Sequence, residues 1–332
     1  MLDVADFPAL LQAFFTTRLM SQRKVSPHTI ASYRDTFRLL LQFAQKRLRK
    51  PPAQLKLEDL DASLIGGFLE NLERGRGNGA RSRNLRLTAV RSFFRYAVLE
   101  VPEHAGVIQR VLAIPNQRQH RTLVSFLNRA EIDALLAAPN QKTWLGRRDH
   151  AFLLTAVQTG LRLSEMTALR HGDVSLGTGA HVHCQGKGRK ERCTPLTKST
   201  VSVLKAWIRE QGKEDSKILF PSTRGVRLSA PGVQHMVARH VAKARESCPT
   251  LAKKRVSPHV LRHAAAMELL QTGVDRAVIA LWLGHESVET TQIYLEADLA
   301  LKEQVLAKTK PIKGKAGRYR PDDDLLSFLK GL

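Results

Sequence analysis

Between Ser257 and Tyr294 the chain reads SPHVLRHAAAMELLQTGVDRAVIALWLGHESVETTQIY, and four of its side chains could together handle a phosphate ester. Arg262 offers a planar fork of N–H donors that matches phosphate oxygens in pairs. His259 and His285 can donate hydrogen bonds or move protons near neutral pH. Tyr294 carries a phenol, which becomes a useful nucleophile only where cations stabilise the phenolate, since its ordinary pKa is near 10. The chain has only four tyrosines. Tyr33 and Tyr96 lie within amphipathic helical patterns and read as core, and Tyr319 lies in a basic tail. Tyr294 alone is close in sequence to two histidines and an arginine.

These side chains need elements to aim them. Ser257-Pro258 reads as a helix start, with serine capping and proline at the first helical position. His259 and Arg262 then share one face of the opening turns, where the unpaired N–H groups and the helix dipole already favour an anion. The competing reading is a helix bearing a solvated arginine and a capping histidine, with Tyr294 in packing contact. Leu283-Gly284-His285 ends another apolar helix, and Tyr294 follows His285 by nine positions on the next helical stretch.

Composition narrows the partner. Lys and Arg number 53 against 30 Asp and Glu, a formal charge of +23. Such an excess favours a polyanion, nucleic acid first, through phosphate neutralisation and counterion release. A membrane surface or a ribosome would attract the same charge. No apolar run approaches the ~20 residues of a membrane span, and the N-terminal stretch lacks a basic leader, so a cytoplasmic protein is expected. Cys184, Cys193 and Cys248 form no CxxC pair, which fits a reducing compartment better than a disulfide frame or a zinc site.

The fold expected is mainly α with a small antiparallel β-sheet, in two domains. Helices are predicted over Ser26–Leu48, Leu60–Leu72 and about Ser82–Leu99, the last burying Leu85, Val90, Phe93, Phe94 and Ala97. This helical region, residues 1–114, carries Arg74, Arg76, Arg81, Arg83, Arg86, Arg91 and Arg95. Residues 115–124 have linker composition. A second region, 125–307, opens with a helix capped by Asn128. A helix over Arg148–Gln158 stops at Thr159-Gly160, where glycine suits a left-handed cap, and a further helix is predicted in LRLSEMTALR. A hairpin of His181–Gln185 and Arg192–Leu196 turns at Gly186–Lys190, and helices follow at Ser199–Glu210 and Ala230–Ala244. His181 and His183 alternate on a strand and could ligate a metal, but no third ligand stands at suitable spacing.

Five boxes occur in a telling order: Thr159-Gly160-Leu161-Arg162-Leu163-Ser164-Glu165, Gly186-Lys187-Gly188-Arg189-Lys190-Glu191-Arg192, His259-x-x-Arg262, Leu283-Gly284-His285 and Tyr294. In order and spacing they resemble the tyrosine recombinase (phage integrase) family over about residues 125–300. The N-terminal helices are similar only in general character to that family's DNA-clamping core-binding domain.

The resemblance implies a mixed α/β catalytic domain and six active-site residues. Arg162 and Arg262 would hold the non-bridging oxygens of a scissile phosphate. Tyr294 would attack phosphorus, leaving a 3′-phosphotyrosine and a free 5′-hydroxyl. Lys187 at the hairpin tip would protonate that leaving oxygen, with Lys190 as its competitor. His259 would assist proton transfer from Tyr294, His285 would bond the phosphate, and Glu165 would orient its neighbours. No metal or nucleotide cofactor is implied. The partners implied are double-stranded DNA recombination sites and further protomers in a tetrameric synapse. The activity implied is site-specific recombination, serving integration, excision or transposition of a mobile element. A type IB topoisomerase and a non-catalytic basic DNA-binding protein are the alternatives. Residues 308–332 form a basic tail; within it Asp322–Asp324 precede Leu325, Leu326, Phe328 and Leu329, a short helix expected to dock on a neighbouring protomer, or else a disordered end.

Overall fold

The computed structural model describes residues 7–119, 124–186, 191–212, 214–284 and 288–291. The chain divides into two compact units, Met1–Arg121 and Thr122–Leu332.

Among the described residues, the first unit is built from helices and the turns that join them. α1 (Phe7–Ala13) runs on into a wide π-helical segment, Phe14–Gln22. α2 (Pro27–Leu48) starts as its sequence dictates, with the Ser26 hydroxyl accepting from the Thr29 N–H and Pro27 in the first turn. α3 (Ala62–Arg76) is capped by Asp61 and stopped by Gly77 at φ +63°. α4 (Ala80–Glu100) and α5 (Ala105–Leu112) complete the bundle. Phe14, Phe37, Phe93 and Phe94 meet largely edge to face at its centre, the arrangement that the ring quadrupoles favour.

One expected core residue falls outside it. Leu85 is 57% exposed, and Leu87 is buried in its stead. The two positions are about 200° apart around the helix, and the face set by Val90, Phe94 and Ala97 includes Leu87 but not Leu85. Several of the arginines of this region are also engaged within the unit. Arg86 donates to Thr36 Oγ1 and the Ser32 carbonyl, Arg91 to the Ile114 carbonyl and Asn116, and Arg83 to the Pro115 carbonyl. Asn84 and Gln117 exchange a further pair of bonds at 2.8 and 3.0 Å. The opening of the stretch with linker composition is therefore stitched to α4. Arg74, Arg76, Arg81 and Arg95 remain exposed.

The second unit contains α6 (Arg129–Ala137), α7 (Trp144–Thr159), α8 (Leu163–Ala168), α9 (Lys198–Gln211), α10 (Ala230–Ala244), α11 (Pro258–Gln271) and α12 (Arg276–Leu283). α6 opens with a reciprocal cap: Asn128 Oδ1 accepts from the Glu131 N–H, and the Glu131 carboxylate accepts from the Asn128 N–H. α7 packs against α6, α9 and α11. Asp149 on α7 is fully buried and accepts from Arg148, Arg239 and His240 at 2.7–2.9 Å, which ties α7 to α10. α8 covers only part of the helix predicted in LRLSEMTALR, because Leu169 is already extended at ψ +137°.

A three-stranded antiparallel sheet, β1 (Val174–Ser175), β2 (His181–Gln185) and β3 (Glu191–Pro195), interrupts the helices. β2 and β3 form the predicted hairpin, with Cys184 opposite Arg192 and His183 opposite Cys193. Its tip, 187–190, lies outside the described residues, and β1 is an addition to the sequence reading. Among the described residues no helix is long and apolar enough to cross a membrane.

Candidate active site

The site begins where α7 ends. Gly160 adopts φ +62°, and a Cβ there would lie 2.6 Å from Leu283 Cδ2 and 3.2 Å from the Ala265 Cβ. Glycine is required both by the left-handed backbone and by the close approach of α11 and α12. The turn delivers Arg162 in an extended conformation, one residue before α8.

Glu165 then reaches back. Its Oε2 accepts from the Arg162 backbone N–H at 2.7 Å, and its Oε1 accepts from Arg162 Nη1 at 3.1 Å. Arg162 Nη2 donates to the Gly284 carbonyl at 2.8 Å, while the side chain stays 30% exposed. It is therefore held from behind and keeps part of its donor fork outward.

Arg262 comes from the second turn of α11 and is only 7% exposed. It donates from Nη1 to the Gly160 carbonyl at 2.6 Å and from Nη2 to the Leu283 carbonyl at 2.7 Å. The last carbonyls of a helix have no partner within it. Here the C-terminal end of α12 gives its Leu283 carbonyl to one arginine, and the next carbonyl, that of Gly284, goes to the other. Gly284 makes this possible with a left-handed φ of +63°.

His259 lies exposed in the first turn of α11, at the predicted three-residue offset from Arg262. The helix starts at Pro258 as expected. Ser257, however, occupies the capping position without its side chain making a capping bond. Next to Arg262, burial pushes the His263 imidazole down to about 4, helped by the charges of His259 and Arg262, so it is neutral at pH 7.

Glu165 also has a partner to which the sequence reading assigned no role. Arg192 on β3 donates from Nη1 to Oε1 at 3.1 Å and from Nη2 to Oε2 at 2.7 Å. Burial pushes the Glu165 carboxyl up, but the bonds from Arg192 and Arg162 outweigh it and hold the group below the usual carboxylate range. The signal was present in the strand pattern: Arg192 alternates with the exposed Glu191 and Cys193, so an arginine occupies an inward position. On the same inward face, burial raises the Cys184 thiol to about 11, which makes it inert as a nucleophile. On the outward face His183 meets Glu191 at 3.3 Å and His181 meets the Gly179 carbonyl at 2.7 Å, so each imidazole has a protein partner.

Arg162, Glu165, Arg262 and His259 thus belong to two helix starts, α8 and α11, and the two arginines share the end of a third helix. Lys187, Lys190, His285 and Tyr294 lie outside the described residues, as does the tail from 308 onward. The described part sets two guanidinium groups, Arg162 and Arg192, on the Glu165 carboxylate, and a third, Arg262, on the Leu283 carbonyl next to the one that holds Arg162, a net positive lining suited to a phosphate.

Residues 125–300 match the model of the phage integrase family, and residues 12–101 match the phage integrase N-terminal SAM-like domain. A Sinorhizobium fredii protein named as an integrase/recombinase, y4rC, is 64% identical over 328 residues, covering 99% of each chain. The tyrosine recombinase XerC of Pelobacter propionicus is 33% identical over 90% of this chain and 94% of that protein. In fold, the chain is similar to the XerH site-specific recombinase in a crystal structure with a palindromic difH substrate. The TM-score is 0.70 at 23% identity, over 86% of this chain and 81% of that one. With its mainly helical, two-unit fold and a family match that spans the arginine-lined site, the chain belongs to the phage integrase family, the tyrosine recombinases.

Proposed function

We propose that this protein is a site-specific recombinase that cuts and rejoins double-stranded DNA through Tyr294. One observation carries the reading: Arg162 and Arg262, remote in sequence, are tied to the consecutive carbonyls of Gly284 and Leu283, immediately before His285. Arg162 and Arg262 bind the non-bridging oxygens of the scissile phosphate, and His285 adds a hydrogen bond. The Tyr294 oxygen forms a bond to phosphorus as the bond to the 5′ oxygen breaks. The phenol proton leaves with the help of His259, and Lys187 protonates the departing 5′ oxygen, which leaves as a hydroxyl. The phosphotyrosine keeps the free energy of the broken phosphodiester, and a 5′-hydroxyl from another strand reverses the step. The chemistry therefore calls for no metal or nucleotide.

Residues 1–114 act as the core-binding domain and 125–307 as the catalytic domain, joined by 115–124. The basic excess and the exposed Arg74, Arg76, Arg81 and Arg95 support DNA as the partner. Protomers assemble as a tetramer on paired sites, and the tail from 308 to 332 docks on a neighbour. The likeness to an integrase/recombinase at 64% identity supports service to a mobile element, with the protein in the cytoplasm and on the nucleoid when bound.

A nicked suicide duplex carrying the cognate site tests the reading. Wild type should yield a covalent protein–DNA band, and Tyr294→Phe should bind DNA but give no band. A band that persists in Y294F means another nucleophile. Plasmid relaxation without recombinant product would favour a topoisomerase.

A further inference from the structure

We propose that Arg192 is a positioning residue for strand cleavage, acting on the scissile phosphate through Glu165 and Arg162. The proposal rests on the phosphate-clamp reading above.

Glu165 is a buried carboxylate with four hydrogen bonds. Two come from Arg162, one from its backbone N–H and one from Nη1; the other two come from the Nη1 and Nη2 of Arg192. A carboxylate offers about four lone-pair sites, so Glu165 is saturated. Arg192 occupies half of that capacity. Its effect on Arg162 follows from competition for the guanidinium fork. With Arg192 in place, Arg162 gives Glu165 a single guanidinium bond and sends Nη2 to Gly284. Without it, a 3%-exposed carboxylate would have one cation left, and the strongest available arrangement is a bidentate pair with Arg162. That pair would draw the fork inward, away from any phosphate.

The surroundings are built around this contact. The Arg192 side chain is 12% exposed. Its Nη1 lies where a Cβ on Gly284 would come within 2.7 Å, so the residue that accepts from Arg162 also leaves room for Arg192. The Arg192 Nε is buried without a hydrogen-bond partner among the described residues. An unpaired buried donor is costly, and the fork is nevertheless aimed at Glu165 with both terminal nitrogens. β3 therefore does more than carry one side of the hairpin: its second residue sets the orientation of the arginine that opens α8.

A double-mutant cycle on covalent cleavage, run with the full chain, tests this. Arg192→Met should leave DNA affinity within about threefold but slow formation of the covalent band on the order of 100-fold, the scale of a slightly misplaced catalytic group. Arg162→Ala should be slower still, and the double variant should be no slower than Arg162→Ala alone. On a duplex whose scissile phosphate is replaced by a neutral methylphosphonate, the R192M and R162A penalties should shrink together. Additive losses in the cycle, or an R192M penalty equal on both substrates, would overturn the proposal. If R192M does not fold, Arg192→Lys carries the same test, since lysine keeps the charge but cannot bridge both carboxylate oxygens. Full activity in R192K would also overturn it. Wild-type cleavage by R162A would instead remove the phosphate clamp itself.

Discussion

Arg162 and Arg262 donate to adjacent carbonyls, Gly284 and Leu283, at 2.8 and 2.7 Å. The end of α12 is thereby a gauge that sets the spacing of the two guanidiniums. The two are not equivalent in burial. Arg262 is 7% exposed and also holds the Gly160 carbonyl, whereas Arg162 is open enough to exchange partners. Arg262→Ala should therefore abolish covalent cleavage and also destabilise the fold by roughly 2–5 kcal/mol, since two carbonyls and a cavity are left behind. Arg162→Ala should slow cleavage more than about 100-fold at a much smaller loss of stability. Urea unfolding of the two variants, set beside their cleavage rates, separates the roles.

Gly160 should tolerate no side chain. Alanine there meets a left-handed backbone and a 2.6 Å contact with Leu283, and it displaces the carbonyl that holds Arg262. Gly160→Ala should cost at least about 2 kcal/mol and reduce cleavage. Gly179 has a similar φ of +69° with nothing within 4 Å of the added carbon. Gly179→Ala should cost only about 1 kcal/mol and spare the reaction. Thermal melts of the pair distinguish crowding from backbone strain.

Acid should weaken the second unit through His263. Its imidazole titrates at about 4 in the fold against 6.5 for an ordinary histidine. The folded state thus binds fewer protons than the unfolded one between these values. Stability from this source is complete above 6.5 and declines as pH falls toward 4, on the order of 3 kcal/mol in total. Unfolding free energies measured across that window should fall for wild type. His263→Gln should flatten the decline.

Asp149 should prove a structural keystone with no part in the chemistry. Burial raises its carboxyl, but the bonds from His240 and Arg148 prevail and hold it below its ordinary value. Asp149→Ala leaves cationic groups of α7 and α10 without their shared counter-charge. It should destabilise by roughly 3–5 kcal/mol, seen in denaturant melts, and the covalent band should survive at temperatures where the variant stays folded.

The two leucines of α4 give a sharp contrast. Leu85→Gln should change stability by less than about 0.5 kcal/mol, because the side chain is 57% exposed. Leu87→Ala should cost roughly 2–5 kcal/mol, as expected for an emptied core site. Chemical denaturation of the two variants checks the helix phase directly.

Much was legible in the residues themselves. Ser26-Pro27, Asn128, and the glycines at 160 and 284 mark their helix ends, because caps and left-handed turns depend on local chemistry. Strand alternation and the hairpin came through for the same reason. Ser257-Pro258 also marked the start of the helix that carries His259 and Arg262. Tertiary structure decided what spacing cannot encode. Leu85 turned outward because the phase of α4 is set by its neighbours. Arg83, Arg86 and Arg91 were drawn into contacts with distant backbone. Arg192 became the counterpart of Glu165, and Arg162 met the end of α12, only because a carboxylate and two carbonyls left unsatisfied by their own elements must find donors elsewhere in the fold. A sequence displays which groups carry such needs; packing alone determines which partner meets them.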